Sequence, residues 1–274
     1  MIPVESYISQ FSGKTIALSV HDLETGREIN IRADAAMHPA STIKVPIMFA
    51  VYRQANLGLL SLDNPIMIAN QFSSLADGTP YALEAKDDSD KSLYEKIGQH
   101  ESIRELVRLM IVRSSNLATN LLFDLVGAEQ VNDILRGLGI EGISVIRGVE
   151  DKAAYRAGLN NSATARGLTQ MMRLIAEGKV IAKSASDEMI AILLGQEFNE
   201  SIPALLPESA RVAHKTGWTG TFYHDTGIVF PENHEPYAIT IMTEGFPEDD
   251  EAQAHNCMAE ISRLVYEELV SSAR

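Results

Sequence analysis

The chain has 274 residues, of which 45% are hydrophobic, and this is enough to bury a full core in one large domain or in two interleaved ones. Its formal net charge is −14 at pH 7, because 37 acidic residues outnumber 23 lysines and arginines. A surface this acidic repels nucleic-acid backbones and anionic membranes, so we expect neither as a partner.

The N-terminal segment, residues 1–11, lacks the basic start, the apolar stretch and the small-residue cleavage site of a signal peptide. The chain has no apolar run of about 18 residues or more, so we expect no membrane span. These observations leave the cellular compartment of the protein undecided. A periplasmic or secreted protein whose signal peptide has been removed has the same pattern as a cytoplasmic one.

Two β-strands are predicted at the start of the chain. Residues 14–21 and 28–32 alternate apolar and polar positions, and the turn at 24–26 between them completes a hairpin pattern. From Ser41 to Arg53 the pattern becomes helical, and helix-favouring segments continue to about residue 195. The middle of the chain is therefore predicted to be mostly α.

Within this middle part, Ser102 and Glu105 form a capping box that opens an apolar helix, and another helix should follow Ser115. Residues 161–177 have apolar positions at helical spacing and end at Gly178, a usual stop residue.

Between Leu135 and Asn160 the helical periodicity fails, and five glycines indicate a long ordered loop. A loop of this length in a compact domain is usually functional.

Three antiparallel strands are predicted after Pro207, over residues 210–217, 221–230 and 236–245, and an amphipathic helix follows from Glu248 to about residue 271. The single cysteine of the chain lies in this helix and is expected to be a buried structural thiol.

Strands at both ends and helices between them predict an α+β fold, in which an antiparallel sheet flanked by helices stands beside an all-helical domain. We assign residues 1–50 together with 205–274 to the sheet domain and residues 51–204 to the helical domain. The active site is expected between the two.

The first motif that carries chemistry is an SxxK sequence from Ser41 to Lys44. Residues three apart lie on one face of a helix, so the hydroxyl and the amine can meet, and a serine at a helix N-terminus lies among unpaired N–H groups that stabilise an oxyanion. The lysine accepts a proton only if burial and a second cation lower its pKa. The alternative is a capping serine beside a solvated lysine.

The second cation is Lys215, which opens a KTG sequence on a predicted strand whose alternation directs Lys215 and Gly217 to one side. The alternative is an edge-strand lysine that discourages aggregation. The third motif is the SSN sequence of residues 114–116, just before a helix. Its hydroxyl and amide suit a proton relay and a clamp for a substrate carbonyl, and the alternative is a simple helix cap.

The three motifs, SxxK at 41–44, SSN at 114–116 and KTG at 215–217, resemble in type and order those of the class A β-lactamases and penicillin-binding serine hydrolases. The sequence around the SSN motif and the strands at both ends are similar to this family over most of the chain. The resemblance implies a β-lactamase and transpeptidase-like fold and a serine hydrolase of β-lactams or related amides. It implies no metal or other cofactor.

For the acylation step, the resemblance implies that Ser41 is the nucleophile and that Lys44 is its proton partner. Ser114 would relay a proton to the leaving nitrogen. The backbone N–H groups of Ser41 and Trp218 would form the oxyanion hole.

For substrate binding, the resemblance implies that Lys215 and Thr216, in the strand with Gly217, bind the substrate carboxylate and that Asn116 holds the side-chain amide. The family has aspartate where this chain has Ser115, which affects the rigidity of the loop more than its chemistry.

Glu150 is the candidate for the glutamate that activates the deacylating water in the family. The family pattern ExxLN is incomplete, because Ala154 stands where asparagine is expected. The alternative for Glu150 is a salt bridge with Arg147 or Lys152.

Three other functions remain as alternatives to a β-lactamase. One is a D-Ala-D-Ala carboxypeptidase or esterase-like penicillin-binding protein, and another is a non-catalytic sensor of β-lactams or peptidoglycan-like ligands. A metal hydrolase is disfavoured, because the seven histidines include no HExxH or comparable spacing. The oligomeric state and the natural substrate stay open.

Overall fold

The computed structural model describes residues 3–179 and 181–271. The ends of the predicted sheet domain, residues 1–2 and 272–274, lie outside the described residues, as does Val180 of the predicted helical domain. The helices, numbered in chain order, are α1 (Pro3–Ile8), α2 (Lys44–Asn56), α3 (Ile103–Val112), α4 (Asn116–Val126), α5 (Ala128–Gly137), α6 (Lys152–Arg156), α7 (Ala165–Glu177), α8 (Lys183–Leu194) and α9 (Glu251–Tyr266).

The strands are β1 (Thr15–Asp22), β2 (Glu28–Ile31), β3 (Pro65–Met67), β4 (Phe72–Ser73), β5 (Pro80–Tyr81), β6 (His100–Ser102), β7 (Ile143–Ser144), β8 (Ser162–Ala163), β9 (Arg211–Thr219), β10 (Phe222–Phe230) and β11 (Tyr237–Glu244). The main sheet is antiparallel and has the order β2-β1-β11-β10-β9. The prediction that both ends of the chain share one antiparallel sheet is therefore confirmed.

Two hydrophobic clusters lie on opposite faces of this sheet. Along β1, Ile16 and Leu18 pack into the cluster that includes α1 and α9, whereas Ala17 packs into the cluster that includes α2, α3, α4 and α7. This alternation follows from the two-residue period of a strand. The sheet is thus covered by helices on both faces.

Helix α2 is buried along most of its length and forms the centre of the second cluster. A helix that is apolar on all sides belongs in a core rather than at a surface. It runs across the predicted domain limit at residues 50–51, and the domain limits stay a prediction.

The predicted helix that starts at Ser41 is wrong in its first turn. Residues Ala40–Ile43 form a 3₁₀ turn and the α-helix begins at Lys44. Pro46 therefore stands in the first turn of α2, where its missing N–H would have no helical partner in any case.

Other boundaries shift because side chains cap the helices. The predicted helix over 161–177 begins at Ala165, since Thr164 accepts a hydrogen bond from Gly167 N and caps α7, and it ends at Gly178 in a left-handed conformation as predicted. The predicted C-terminal helix begins at Glu251 after the cap Asp250, and a π-helical segment follows over Glu267–Ser271.

Half of the predicted capping box is present, since Ser102 Oγ accepts a hydrogen bond from Glu105 N at 3.2 Å. The reciprocal half is wrong, because Ser102 N donates to Glu101 Oε1 and the Glu105 carboxylate accepts from Arg108. The predicted long loop between Leu135 and Asn160 is interrupted by the end of α5, by β7 and by α6. Within residues 3–179 and 181–271, the structure has no helix long and apolar enough to cross a membrane.

Candidate active site

Ser41 lies on the 3₁₀ turn before α2 and lines a cavity of about 380 Å³. Ala40, the residue before it, has a φ of 47°, which is unusual for a residue with a side chain and shows that surrounding contacts hold this turn. Ser114, Asn116, Glu150 and Trp218 line the same cavity. Ser41 of the SxxK motif, two residues of the SSN motif and the residue that follows the KTG motif thus meet at one opening.

Lys44 is fully buried one turn after Ser41, and its Nζ lies among three acceptors of the SSN loop. It is 2.7 Å from Ser114 O, 3.1 Å from Ser114 Oγ and 2.9 Å from Asn116 Oδ1. No hydrogen bond between the side chains of Ser41 and Lys44 is present among the described residues. Two of the three motifs are therefore joined through the Lys44 amine.

Burial lowers the pKa of Lys44 to about 7, against the opposing attraction of Asp88 and Glu150. Near neutral pH this lysine can therefore exist both as an ammonium and as a neutral amine that accepts a proton.

Lys215 is also fully buried, and its Nζ donates to Thr216 O at 2.8 Å. Burial, and then repulsion by the Lys44 ammonium, holds the pKa of Lys215 well below its usual value, although Asp225 opposes this shift. Lys44 thus lowers the pKa of Lys215, whereas the pKa of Lys44 itself is shifted by burial, Asp88 and Glu150. The predicted lowering of the Lys44 pKa by a second cation is not seen.

Gly217 brings strand β9 directly against the turn of Ser41. A Cβ at Gly217 would lie 2.8 Å from Ser41 N and 2.9 Å from Thr42 N, distances that real Cβ atoms do not show. Only glycine permits the backbone of β9 to approach this closely. The glycine of the KTG motif is therefore needed for packing against the turn of Ser41.

The two serines of the SSN loop make different contacts. Ser114, with a φ of 57°, faces Lys44, whereas Ser115 Oγ accepts a hydrogen bond from Ala118 N and caps α4. The alternative of a helix cap is thus right for Ser115 only.

Glu150 is an exposed carboxylate with a φ of 61° that lines the cavity of Ser41. The alternative of a salt bridge is not realised among the described residues. Arg147 donates to Leu159 O, Gly148 O and Asn160 Oδ1, and Lys152 lies 3.9 Å from Asp87. The Glu150 carboxylate therefore has no cationic partner within 4 Å there.

Asn120 holds the segment before Glu150 and is a residue that the sequence reasoning missed. Its Oδ1 accepts from Val149 N at 2.7 Å and its Nδ2 donates to Val149 O at 3.0 Å. Gly148 leaves room for this clamp, because a Cβ there would lie 2.5 Å from Asn120 Oδ1. The available signal is that Asn120 follows Asn116 by one helical turn on α4.

Two of the predicted substrate-binding residues, Thr216 and Trp218, have groups that a ligand could contact. Thr216 Oγ1 is buried and has no hydrogen-bond partner among the described residues, so a bound anion could satisfy it. The Trp218 ring is 44% exposed beside Phe198, with 5.5 Å between ring centroids, and it forms one wall of the opening.

The histidines near the site form hydrogen bonds with backbone groups. Burial lowers the pKa of His224 to about 4, and its neutral ring donates from Nε2 to His38 O while Nδ1 accepts from Thr243 N. His38 Nδ1 in turn accepts from the N–H of Ala40 at 3.2 Å, and Ala40 immediately precedes Ser41. No group of three or more histidine, cysteine or acidic side chains in the described ranges is arranged to hold a metal ion.

Comparisons with known proteins place the chain in one family. The sequence model of the beta-lactamase enzyme family matches residues 3–269. Beta-lactamase ROB-1 of Haemophilus influenzae is 28% identical over 250 residues, which cover 89% of this chain and 76% of ROB-1. Beta-lactamase BRO-1 of Moraxella catarrhalis is 22% identical, over 60% of this chain and 55% of its own length.

Two solved structures are similar over nearly the whole chain. A beta-lactamase from Sphaerobacter thermophilus has a TM-score of 0.83 and 25% identity, over 96% of this chain and 95% of that one. The structure of PBP-A has a TM-score of 0.81 and 26% identity, over 96% of this chain and 93% of that one.

Proposed function

Since this chain belongs to the beta-lactamase enzyme family, we propose that it is a serine hydrolase that opens β-lactam amides through an acyl-enzyme on Ser41. The observation that carries the proposal is the convergence of Ser41, Lys44 and the SSN loop on one cavity, with β9 packed against the nucleophile. This is the arrangement that acyl transfer requires.

In the proposed first step, Ser41 Oγ attacks the β-lactam carbonyl carbon and its proton passes to the neutral amine of Lys44. The pKa of about 7 supports this role, because it leaves a large fraction of the lysine unprotonated near neutral pH. The N–H groups of Ser41 and Trp218 would stabilise the oxyanion, and losing one such donor typically costs roughly 3 kcal/mol of transition-state stabilisation.

In the proposed collapse of the tetrahedral intermediate, the C–N bond of the lactam breaks and its nitrogen takes a proton from Ser114. Ser114 Oγ lies 3.1 Å from Lys44 Nζ, so the proton that the lysine accepted can replace the one that Ser114 gives. No net proton is lost in the acylation step.

Lys215 and Thr216 would bind the substrate carboxylate, and Asn116 would hold the side-chain amide. The buried, unpartnered hydroxyl of Thr216 supports the first assignment, because a ligand oxygen would satisfy it. Water then releases the acyl group, and Glu150, which lines the cavity without a cationic partner among the described residues, is the candidate base.

The family match and the relatives favour this activity over the alternatives of a carboxypeptidase, an esterase-like protein or a sensor. A likeness to PBP-A supports the acyl-enzyme, since a point mutant of PBP-A is described as an acyl-enzyme complex with penicillin G, at 27% identity and a TM-score of 0.80.

A time course with a coloured cephalosporin tests the proposal. An enzyme should continue past many equivalents of substrate, whereas a sensor would give a stoichiometric burst and stop. Absence of both turnover and a burst would refute the function.

A further inference from the structure

Asp88 is a buried carboxylate, 5% exposed, that lies against the N-terminus of helix α4 although it comes from a distant loop. Both of its oxygens lie 3.0 Å from Asn116 N, and one of them also accepts from Leu117 N at 3.0 Å. The Tyr94 hydroxyl donates to the same carboxylate at 2.9 Å.

We propose that Asp88 is a positioning residue for acylation, which anchors the SSN loop and so places the three acceptors around Lys44 Nζ. This inference rests on the acylation chemistry proposed above. The carboxylate that holds the SSN loop is thus supplied by Asp88, which lies outside the SSN motif.

The first argument concerns the unpaired amides at the start of α4. The first four N–H groups of a helix have no partner inside the helix. Ser115 satisfies the amide of Ala118, and Asp88 satisfies those of Asn116 and Leu117. The start of α4 is therefore capped by two side chains, Ser115 within the SSN motif and Asp88 outside it.

The second argument concerns the strained backbone of Ser114. Its φ of 57° is a left-handed conformation that costs free energy for a residue with a side chain and persists only where neighbouring contacts enforce it. Asp88 fixes Asn116 N, two residues further on, and Lys44 bonds Ser114 O and Asn116 Oδ1. Together these contacts hold Ser114 Oγ in place beside Lys44 Nζ.

The third argument is electrostatic. Lys44 faces the amine of Lys215 and the carboxylates of Asp88 and Glu150, and Asp88 is the larger of the two attractions that oppose the lowering of the Lys44 pKa. Tyr94 faces Asp88 from the other side, and burial, followed by Asp88, raises the pKa of that phenol. Asp88 thus contributes both position and charge to Lys44.

Asp88→Asn tests both contributions in a pH profile of kcat/KM for a β-lactam. Asparagine keeps only one of the two acceptor oxygens that serve Asn116 N, Leu117 N and the Tyr94 hydroxyl, and an N–H donor replaces the other, so the plateau should fall by about tenfold. Loss of the negative charge favours the neutral amine of Lys44, so the acid limb should move to lower pH. A role in folding alone would leave the acid limb in place.

Asp22→Asn is the matched control, because Asp22 is also buried and accepts from a backbone amide, that of Glu24, at the far end of β1. Its plateau and acid limb should equal those of the wild type. Asp88→Glu keeps the charge but displaces the oxygens, so its plateau should fall while its acid limb does not move to lower pH.

An Asp88→Asn profile identical to that of Asp22→Asn would overturn the inference. If Asp88→Asn does not fold in a thermal melt, Asp88→Glu decides, and a wild-type plateau in that variant would overturn the inference. A wild-type protein that forms no acyl adduct at all would instead contradict the proposed function.

Discussion

The candidate catalytic side chains on the two loops that meet at the cleft differ in how firmly they are held. The SSN loop is buried, and Lys44, Asp88 and the start of α4 bond it from three directions. Glu150, on the opposite loop, is exposed and has no ion pair among the residues that the structure describes. In the proposed mechanism, acylation thus depends on a desolvated, hydrogen-bonded set of groups, whereas deacylation depends on an exposed carboxylate, although Asn120 clamps the backbone just before it.

The largest effect is expected from removal of Ser41, the proposed nucleophile of the acylation step. Ser41→Ala should lower kcat by about a thousandfold or more, because no other group can form the acyl bond. Intact-protein mass spectrometry after incubation with a penicillin should show no adduct. Ser89→Ala removes another hydroxyl that lines the cavity and should keep the adduct. An adduct of equal yield in Ser41→Ala would refute the assignment of the nucleophile.

Gly217→Ala should have the next largest effect, about a hundredfold on kcat/KM, because a misplaced nucleophile loses its near-attack geometry. The added Cβ meets backbone atoms of Ser41 and Thr42, which cannot move aside as a flexible side chain can. Gly137→Ala is the control, since a Cβ there meets nothing within 4 Å. Equal kinetics in the two variants would contradict the tight packing of β9.

A pH profile should reveal the state of Lys44. Since burial lowers its pKa to about 7, the neutral amine gains population as the pH rises through that value. The wild-type kcat/KM should therefore increase by about tenfold between pH 6 and pH 8. A flat profile in this range would remove Lys44 as the proton acceptor.

Glu150→Gln tests the exposed carboxylate that is the candidate base for deacylation. If Glu150 activates water, the acyl-enzyme should accumulate and steady-state turnover should fall by about tenfold, while the acylation burst stays fast. Asp87→Asn, at another exposed carboxylate of the same cavity, should turn over normally. Unchanged turnover in Glu150→Gln would remove this residue from the site.

The smallest effect should come from the charge at the mouth of the cleft, where four acidic side chains line the cavity: Asp87, Glu150, Glu248 and Glu251. We expect a β-lactam with an ammonium side chain to have a higher kcat/KM than one with a carboxylate there. Glu248→Gln should reduce this ratio by about twofold at low salt, and added salt should abolish the difference. Glu129→Gln, at an exposed carboxylate on α5, should leave the ratio unchanged.

Much of the fold could be predicted from local patterns. The alternation of β1, β9, β10 and β11 and the helix cap at Ser102 depend on residues close in sequence, and they lie within about two residues of the predicted positions. The start of α2 was missed by three residues, because a proline in the first turn suits either an α-helix or a 3₁₀ turn before it.

The residues that support the site were less accessible to sequence reasoning. Asp88 and Asn120 bond to backbone groups 28 or 29 positions away in the chain, and such contacts leave no periodic signal. Gly217 was recognised through the KTG motif, but its close approach to Ser41 depends on how β9 packs against the turn before α2.

The sequence by itself determined which residue types carry the chemistry, since SxxK, SSN and KTG are short patterns that identify a family. Only the tertiary structure decided their protonation and their partners. The pKa of Lys44 depends on how completely it is buried and on the charges of Asp88 and Glu150, and the pKa of Lys215 depends on burial and on the charge of Lys44. Burial and charge are properties of distances in space, and chain order alone does not contain those distances.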